Sequence, residues 1–375
     1  MKLRSLTLAL ASVASAATFA APLTTGNIVL NIVGDGAAAP SAAAAPINFL
    51  EFAPTGFGGA PIQTISVTSS GANAITQSGS AGSEGGISGI HGGNGLYFVG
   101  YQADAGTAAV VSTTGATNPR RVGRLDYATG LVSFTTLDPT VYSGNNIRFV
   151  SGYTTTGNPG SNFVTAGNAA NPNGGARSGV FGTSTTVLES GTLANTRVSH
   201  AFEGALYTSA MSGAFLGVSR LNAAGDPTLV VNAGTGASTY DFQFFNGGEV
   251  AYLIDDRTAA AGGGLAKYVR QTNGTYTKVY TYAFGTNGGT QFAATLPDAS
   301  GNVTFYAVSG LKTLYSVTDN VSAGVVTATG TPTLLYTAGT NLNLKGVEVV
   351  PEPATMAAMA LGLGTLLARR RRKAA

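Results

Sequence analysis

The sequence predicts an all-β protein, a β-propeller of about six four-stranded blades closed by its N- and C-terminal strands. Apolar or alternating runs of about four to eight residues are bounded by Gly, Asn, Asp and Pro, which is typical of strands joined by tight turns. No stretch of the body sustains the 3.6-residue period of a helix. The runs also recur in a fixed order at roughly 45 to 65 residues, an interval that suits propeller blades.

Each of five repeats contains one strongly apolar run, which is predicted to be a buried strand. These runs are Leu96 to Gly100, Phe163 to Gly167, Leu206 to Ala210, Ala251 to Asp255 and Phe305 to Ser309. A strand-like run and a turn precede each of them, and a more amphipathic run and a closing run follow. This order predicts four antiparallel strands per repeat.

The two ends of the body supply a sixth blade. Asn27 to Val33, Ile47 to Phe52 and Ile62 to Thr68 are three strands without a first strand, and Leu344 to Val350 is one strand without a blade. Joining them would close the ring and remove its open edges. The predicted propeller domain is residues 26–350, and a seven-bladed ring, a β-sandwich or a β-solenoid are the alternatives.

Three segments rich in small and polar residues are predicted to be loops. They are Ala37 to Ala45, Thr154 to Pro159 and Asn168 to Ala176. Proline and glycine in such segments favour turns over strands or helices.

The first 20 residues have the layout of a secretory signal peptide. A basic Met1 to Arg4 segment precedes an apolar run from Leu6 to Ala17, and small residues follow. Cleavage after Ala20 fits the small-x-small preference, with Ala16 as the alternative site. The apolar run is shorter than the roughly 20 residues of a spanning helix, so a permanent N-terminal anchor is the weaker interpretation.

Residues 350–375 combine a short motif, an apolar run and a basic end. Pro351, Glu352 and Pro353 keep the backbone extended, so that a protease could bind this segment as an open strand. Residues 354–368 are apolar and helix-forming, and could lie in a bilayer. The chain then carries a cluster of basic residues that favours the cytoplasmic side: Arg369, Arg370, Arg371, Arg372 and Lys373.

This three-part tail resembles the PEP-CTERM sorting signal of exported bacterial proteins. The resemblance implies recognition at Pro351, Glu352 and Pro353 by an exosortase-like membrane protease. It also implies transient residence in the inner membrane, release to the cell surface or an exopolysaccharide matrix, and a Gram-negative source that makes extracellular polysaccharide. The alternative is a permanent anchor at the C-terminus.

The composition excludes several classes of function. Removing both sorting ends takes Lys2, Arg4, five further basic residues and Glu352 away, so 20 basic and 17 acidic residues become 13 and 16. The mature body is then mildly acidic, which gives no case for nucleic-acid binding. The absence of cysteine excludes disulfides, thiolate chemistry and cysteine-based metal sites.

Only two histidines are available for catalysis. His91 lies in a glycine-rich turn and His200 on a predicted inner strand, and no Gly-x-Ser-x-Gly motif accompanies either. Both are interpreted as packed or loop residues. No cofactor is predicted, and the glycine runs Gly92 to Gly95 and Gly262 to Gly264 are interpreted as loops because neither precedes a helix.

The adjacent acids Asp255 and Asp256 are the candidate for calcium binding. Neighbouring strand residues point to opposite faces, so the preferred interpretation is an exposed turn in which Arg257 pairs one carboxylate. The pair Arg120 and Arg121 is interpreted as solvated. Four further acids that end strand-like runs are expected to shape turns: Asp35, Asp104, Asp126 and Asp319.

We therefore expect an exported surface or matrix protein with a non-catalytic structural or binding role. One alternative is a propeller hydrolase or lyase, which would need carboxylates and histidines at one mouth of its channel. The other is a binding module for a glycan or small ligand, which would show aromatic and Asn or Asp side chains in one pocket. The lack of tryptophan weakens the glycan interpretation.

Overall fold

Six four-stranded antiparallel sheets form a closed six-bladed propeller with almost no helix. A computed structural model describes residues 21–89, 95–155, 158–222 and 224–351. In the first half of the chain the strands are β1 Ile28–Val33, β2 Ala44–Ala45, β3 Ile47–Phe52, β4 Gln63–Ser66, β5 Gln77–Ser78, β6 Ser88–Gly89, β7 Gly95–Tyr101, β8 Arg120–Asp126, β9 Val132–Thr136, β10 Ile147–Thr155, β11 Asn158–Gly167, β12 Arg177–Val180 and β13 Thr186–Leu188.

The second half continues the same pattern. Its strands are β14 Ser199–Phe202, β15 Ala205–Ala210, β16 Gly217–Leu221, β17 Pro227–Asn232, β18 Thr239–Phe245, β19 Val250–Asp255, β20 Gly264–Arg270, β21 Tyr276–Tyr282, β22 Gly289–Ala294, β23 Asn302–Ser309, β24 Thr313–Asn320, β25 Thr333–Thr337 and β26 Asn343–Val349. Two 3₁₀ turns, Val110–Ser112 and Ala259–Ala261, interrupt loops.

Blade one is built from both ends of the body. Its strand order is β26-β1-β3-β4, with Ile28 opposite Val349 and Val33 opposite Asn343 in the β1–β26 pair. Blades two to six use four consecutive strands each: β6–β9, β10–β13, β14–β17, β18–β21 and β22–β25. The predicted pairing of Leu344 to Val350 with the N-terminal strands is confirmed, and the blade count is six rather than seven.

Aromatic rings and glycines are matched across strands in blades two and three. Phe98 of β7 pairs with Gly123 of β8, and Phe163 of β11 pairs with Gly179 of β12. A Cβ added at Gly123 would lie 2.3 Å from the Phe98 ring, and one at Gly179 would lie 2.5 Å from the Phe163 ring. Only glycine leaves room for the ring to lie flat on the neighbouring strand.

The hydrophobic core lies between neighbouring blades, as in a ring of packed sheets. Blades five and six, for example, bury Tyr252 of β19 and Phe305 of β23 against each other, with ring centroids 4.4 Å apart. Beneath them the buried Asp319 carboxylate accepts hydrogen bonds from the hydroxyls of Tyr252, Tyr280 and Thr329 at 2.5–2.7 Å. The expectation that Asp319 shapes a turn was therefore wrong, because its carboxylate is a buried acceptor inside the core.

Two other interpretations were also wrong. The described residues of the segment Thr154 to Pro159 lie in strands and not in a loop, because β10 runs to Thr155 and β11 begins at Asn158. Arg120 and Arg121 are not solvated, since they are only 0% and 3% exposed. The Arg120 guanidinium donates to the carbonyls of Val111, Thr113, Asn118 and Asn145, and Arg121 donates to those of Ala72 and Ala74.

The remaining loop predictions fit the structure with one addition. Asn168 to Ala176 is irregular, and Ala37 to Ala45 is irregular apart from β2, which pairs with β5 in a small separate ladder. Asp35 and Asp126 accept backbone N–H groups within their own turns, as expected. The Asp104 carboxylate instead accepts from Gly71 N–H, so it joins two separate loops. Among the described residues, no helix has the length and apolar character needed to cross a bilayer.

Candidate functional site

The first strand of each blade faces the central channel, and these six inner strands run in the same direction around the ring. They are β26, β6, β10, β14, β18 and β22. Their beginnings meet at one mouth of the channel and their ends at the other. Lys345 near the start of β26 therefore lines a cavity at the first mouth, and Glu348 near its end lines a cavity at the second.

His200, the predicted inner-strand histidine, lies at the second mouth and is paired with an aspartate of the next blade. His200 Nε2 lies 2.8 Å from Asp241 Oδ1, and the two side chains are 21% and 2% exposed. The imidazole lies edge-on between Phe149 and Phe242, with centroids 5.1 and 5.2 Å away. Because a carboxylate only accepts, the neutral imidazole carries its proton on Nε2 and keeps a lone pair on Nδ1.

Glu348 supplies a second carboxyl group at this mouth. Burial raises the pKa of Glu348 to about 8, with a smaller contribution from the charge of Asp241. The N–H groups of Gly89 and Val349 donate to its two oxygens at 2.9 and 3.1 Å and act in the opposite sense. At neutral pH the Glu348 carboxyl is therefore largely protonated. The other carboxyl group at this mouth, Asp241, is paired with the His200 imidazole.

His200 and Glu348 line one cavity of about 700 Å³ at the second mouth. Its wall also contains Ser88, Ser151 and Tyr153. The size is within the range of pockets that hold small organic ligands. The arrangement can therefore bind a polar molecule, and it offers both a proton acceptor and a proton donor.

A groove of about 1000 Å³ lies beside this mouth, between blades four and five. The hairpin Phe202–Ala205 borders both this groove and the cavity at the second mouth. Four half-buried aromatic side chains line the groove: Phe202, Tyr207, Phe244 and Tyr276. Phe244 is the centre of this set, with its ring 5.1 Å from those of Phe202 and Tyr207 and 6.2 Å from that of Tyr276.

Polar side chains surround the aromatic rings of the groove. They are Glu189, Glu203, Arg220, Asn222, Arg270 and Asn273. The two acidic and two basic members balance, so the groove has no net charge. It suits a ligand that combines apolar faces with hydroxyl groups better than it suits an ion.

The acidic turn after β19 is paired as expected, but it is not exposed at Asp255. Arg257 donates through Nε and Nη2 to the two Asp255 oxygens, each at 2.9 Å, and Asp255 is only 8% exposed. Ser238 N–H also donates to Asp255 Oδ2 at 2.9 Å. Within the described part of the chain, no three acidic or histidine side chains are grouped as a metal site would require.

The sorting residues lie at the boundary of the described chain. Val350 N–H donates to Asn27 O at 2.8 Å, and Gly26 N–H donates to Val350 O at 2.9 Å, so the ring's ladder ends one residue before Pro351. Glu352, Pro353 and Arg369 to Lys373 lie outside the described residues, as do the signal peptide and His91.

Sequence reasoning found His200 but missed most of its surroundings. Asp241, Glu348 and the aromatic groove come from different blades, and no motif in the sequence connects them. One signal was available, because Lys345 and Glu348 are charged residues inside the predicted strand Leu344 to Val350, and Asp241 lies in a run of mostly aromatic residues. A charge in such a strand either faces the channel or needs a buried partner.

Comparison with known proteins finds solved structures that are similar to the body of this chain and a family model that matches its tail. No curated protein matches the chain. A candidate 6-phosphogluconolactonase of Bacteroides uniformis is 14% identical, with a TM-score of 0.44 over 82% of this chain and 83% of that one. The periplasmic gluconolactonase of Pseudomonas aeruginosa is 11% identical, with a TM-score of 0.45 over 83% of each chain. Similarity at this level says nothing about the activity of this chain.

The tail matches the family model of the PEP-CTERM protein-sorting motif over residues 349–373. The match begins at the last residue of β26 and so overlaps the end of the ring by a single strand position. Such a motif implies export and processing by an exosortase-type membrane protein. The chain is a six-bladed β-propeller that carries a PEP-CTERM protein-sorting motif at its C-terminal end.

Proposed function

We propose that this exported propeller binds a largely neutral polysaccharide at the cell surface or in the extracellular matrix, without transforming it. The observation that carries the proposal is the groove between blades four and five. Its aromatic rings can pack against the C–H faces of sugar rings, and its Asn, Arg and Glu side chains can bond to hydroxyls.

The groove is continuous with the cavity at the second mouth, which favours an extended ligand. The groove and the channel mouth share the wall made by Phe202, Glu203, Gly204, Ala205, Leu206 and Phe244. A chain of sugars lying in the groove could therefore place one unit at the mouth. The balanced charges of the groove favour a neutral chain over a polyanion.

Binding can be tested with the mature secreted protein and soluble neutral polysaccharides, including that of the producing cells. Phe244→Ala removes the central ring of the groove and is expected to weaken binding by at least about tenfold, the usual effect of losing a buried aromatic contact. Phe57→Ala is the matched control, because Phe57 is a half-buried aromatic residue on blade one. Equal affinity of Phe244→Ala and wild type for every glycan bound would refute the groove as the site.

Acid–base catalysis at the channel mouth is the second candidate function. The specific observation is that His200, held by Asp241, and the raised pKa of Glu348 provide a base and an acid in one cavity. Among the described residues no serine hydroxyl hydrogen-bonds to His200, so a water molecule is the nucleophile that this imidazole would activate.

The same glycan panel separates the two functions. Binding alone predicts no change in substrate mass after prolonged incubation, whatever residue occupies position 200. Turnover that is lost in His200→Ala, but retained in Phe57→Ala, would establish the catalytic alternative.

A further inference from the structure

We propose that the first mouth of the channel, opposite His200, holds one small monovalent anion of chloride size. The site is a cavity of about 10 Å³, room for a single water molecule or monatomic ion. The channel-facing residues Arg148, Arg197, Thr290 and Lys345 line it together with Glu84. They come from four different blades and the connection between blades one and two.

Unpartnered donors are the first observation behind this site. Nε of Arg148, Nε of Arg197 and Oγ1 of Thr290 are buried and bond to no described residue. Arg148 is only 7% exposed, so its Nε–H cannot turn to bulk water. A buried N–H without an acceptor is costly, and three such atoms around one cavity call for an acceptor inside it.

Uncompensated positive charge is the second observation. The Lys345 ammonium lies 3.8 Å from Glu84 Oε1, so these two groups offset each other. Within the described chain no carboxylate pairs with Arg148 or Arg197. The exposed Asp256 lies nearby, but it interacts with the Tyr240 hydroxyl, which in turn accepts from Arg197.

The two guanidiniums also repel each other. Burial lowers the pKa of Arg148 to about 10, and the charge of Arg197 is the next cause of that shift. Two like charges near one buried cavity favour an anion over water, since an anion offsets both charges while it accepts from both Nε–H groups. A polyatomic anion such as sulfate exceeds the space.

The anion would connect blades rather than serve a reaction. Arg148 lies on β10, the inner strand of blade three, and Thr290 lies on β22, the inner strand of blade six. Arg197 comes two residues before β14, the inner strand of blade four. An ion that bonds to all three stabilises the closed ring and leaves an open chain unaffected. Ring stability should therefore depend on the identity of the salt.

Thermal unfolding of the mature protein tests this in chloride, bromide and gluconate at equal ionic strength. Wild type is expected to show a saturable rise in Tm of roughly 2–4 °C in the halides over gluconate. Arg197→Gln removes one charge and one donor and should reduce this rise to under about 1 °C, while Lys278→Gln, at an exposed position, should keep it. Thr290→Val removes one donor with little change in volume and should also weaken the halide response. It provides the test if Arg197→Gln fails to fold.

Crystals grown in bromide provide the direct test. An anomalous bromide peak between Arg148, Arg197 and Thr290 is expected. A water-like peak without anomalous signal would overturn the proposal, and so would a Tm that is the same in halide and gluconate. A halide response of equal size in wild type, Arg197→Gln and Thr290→Val would also overturn it.

Discussion

At the scale of single residues, this chain tolerates buried charge by surrounding it with backbone acceptors. The Lys267 ammonium donates to the carbonyls of Asn320, Ser322 and Val325 at 2.7–3.0 Å, and Arg120 is likewise enclosed by carbonyl oxygens. Burial lowers the pKa of both groups. With charged residues at only 10% of the chain, few carboxylates are available as partners, so carbonyls take that role.

Glu348 is a buried carboxyl group whose pKa is strongly raised in the folded ring. The pKa of Glu348 is raised from 4.5 to about 8 in the folded protein. Between these two pH values the native protein therefore holds a proton that the unfolded chain has released. Its contribution to stability is therefore full below about pH 4.5 and is lost as the pH rises through about 8. We expect Tm to fall over this interval in wild type and to fall less in Glu348→Gln.

The control for this experiment is Glu249→Gln, which changes an exposed glutamate without a role in the channel. The measurement is Tm against pH from 4 to 9 for the three proteins. Parallel profiles for wild type and Glu348→Gln would show that the Glu348 carboxyl titrates in the ring as it does in the unfolded chain.

At the scale of strands, the closing strand β26 stabilises the ring from within. Leu344 and Val347 are fully buried, and Val347 N–H donates to the Gln291 side chain of blade six at 2.8 Å. Removing β26 exposes one edge of β1 and opens the channel on one side.

Truncation tests this strand. A protein ending at residue 342 is expected to unfold at a much lower temperature than one ending at residue 353, or to fail to fold, because it loses a complete ladder. The chain ending at residue 353 is the control and keeps every described hydrogen bond. Equal Tm values for both proteins would contradict closure by β26.

The sequence predicted strands well because each strand is a local pattern of apolar residues bounded by turn residues. The sixth blade was predicted from a surplus of three strands at one end and one at the other, and β26-β1-β3-β4 confirms it. Arg120 and Arg121 were misjudged since charge alone does not reveal the carbonyl oxygens that enclose a side chain. The groove could not be predicted because its aromatic residues converge from separate strands of two blades.

At the scale of the whole molecule, we expect the closing strand to couple folding to export. Because β1 and β26 lie at opposite ends of the body, the ring cannot close until residues 343–349 are available to pair with β1. The motif begins where the ladder ends, and only Pro351 to Pro353 separate Val350 from the apolar run. Because β26 points toward the His200 mouth, we expect an uncut tail to hold that face of the ring near the membrane.

The most direct test of the account is the intact mass of the surface protein from a host with its sorting protease. The expected chain begins at Ala21, or at Ala17 if the alternative site is used, and lacks Arg369 to Lys373. A host without the protease, and the variant Glu352→Ala, should each retain the basic end in the membrane fraction. Recovery of the complete C-terminus in the mature extracellular protein would contradict the account.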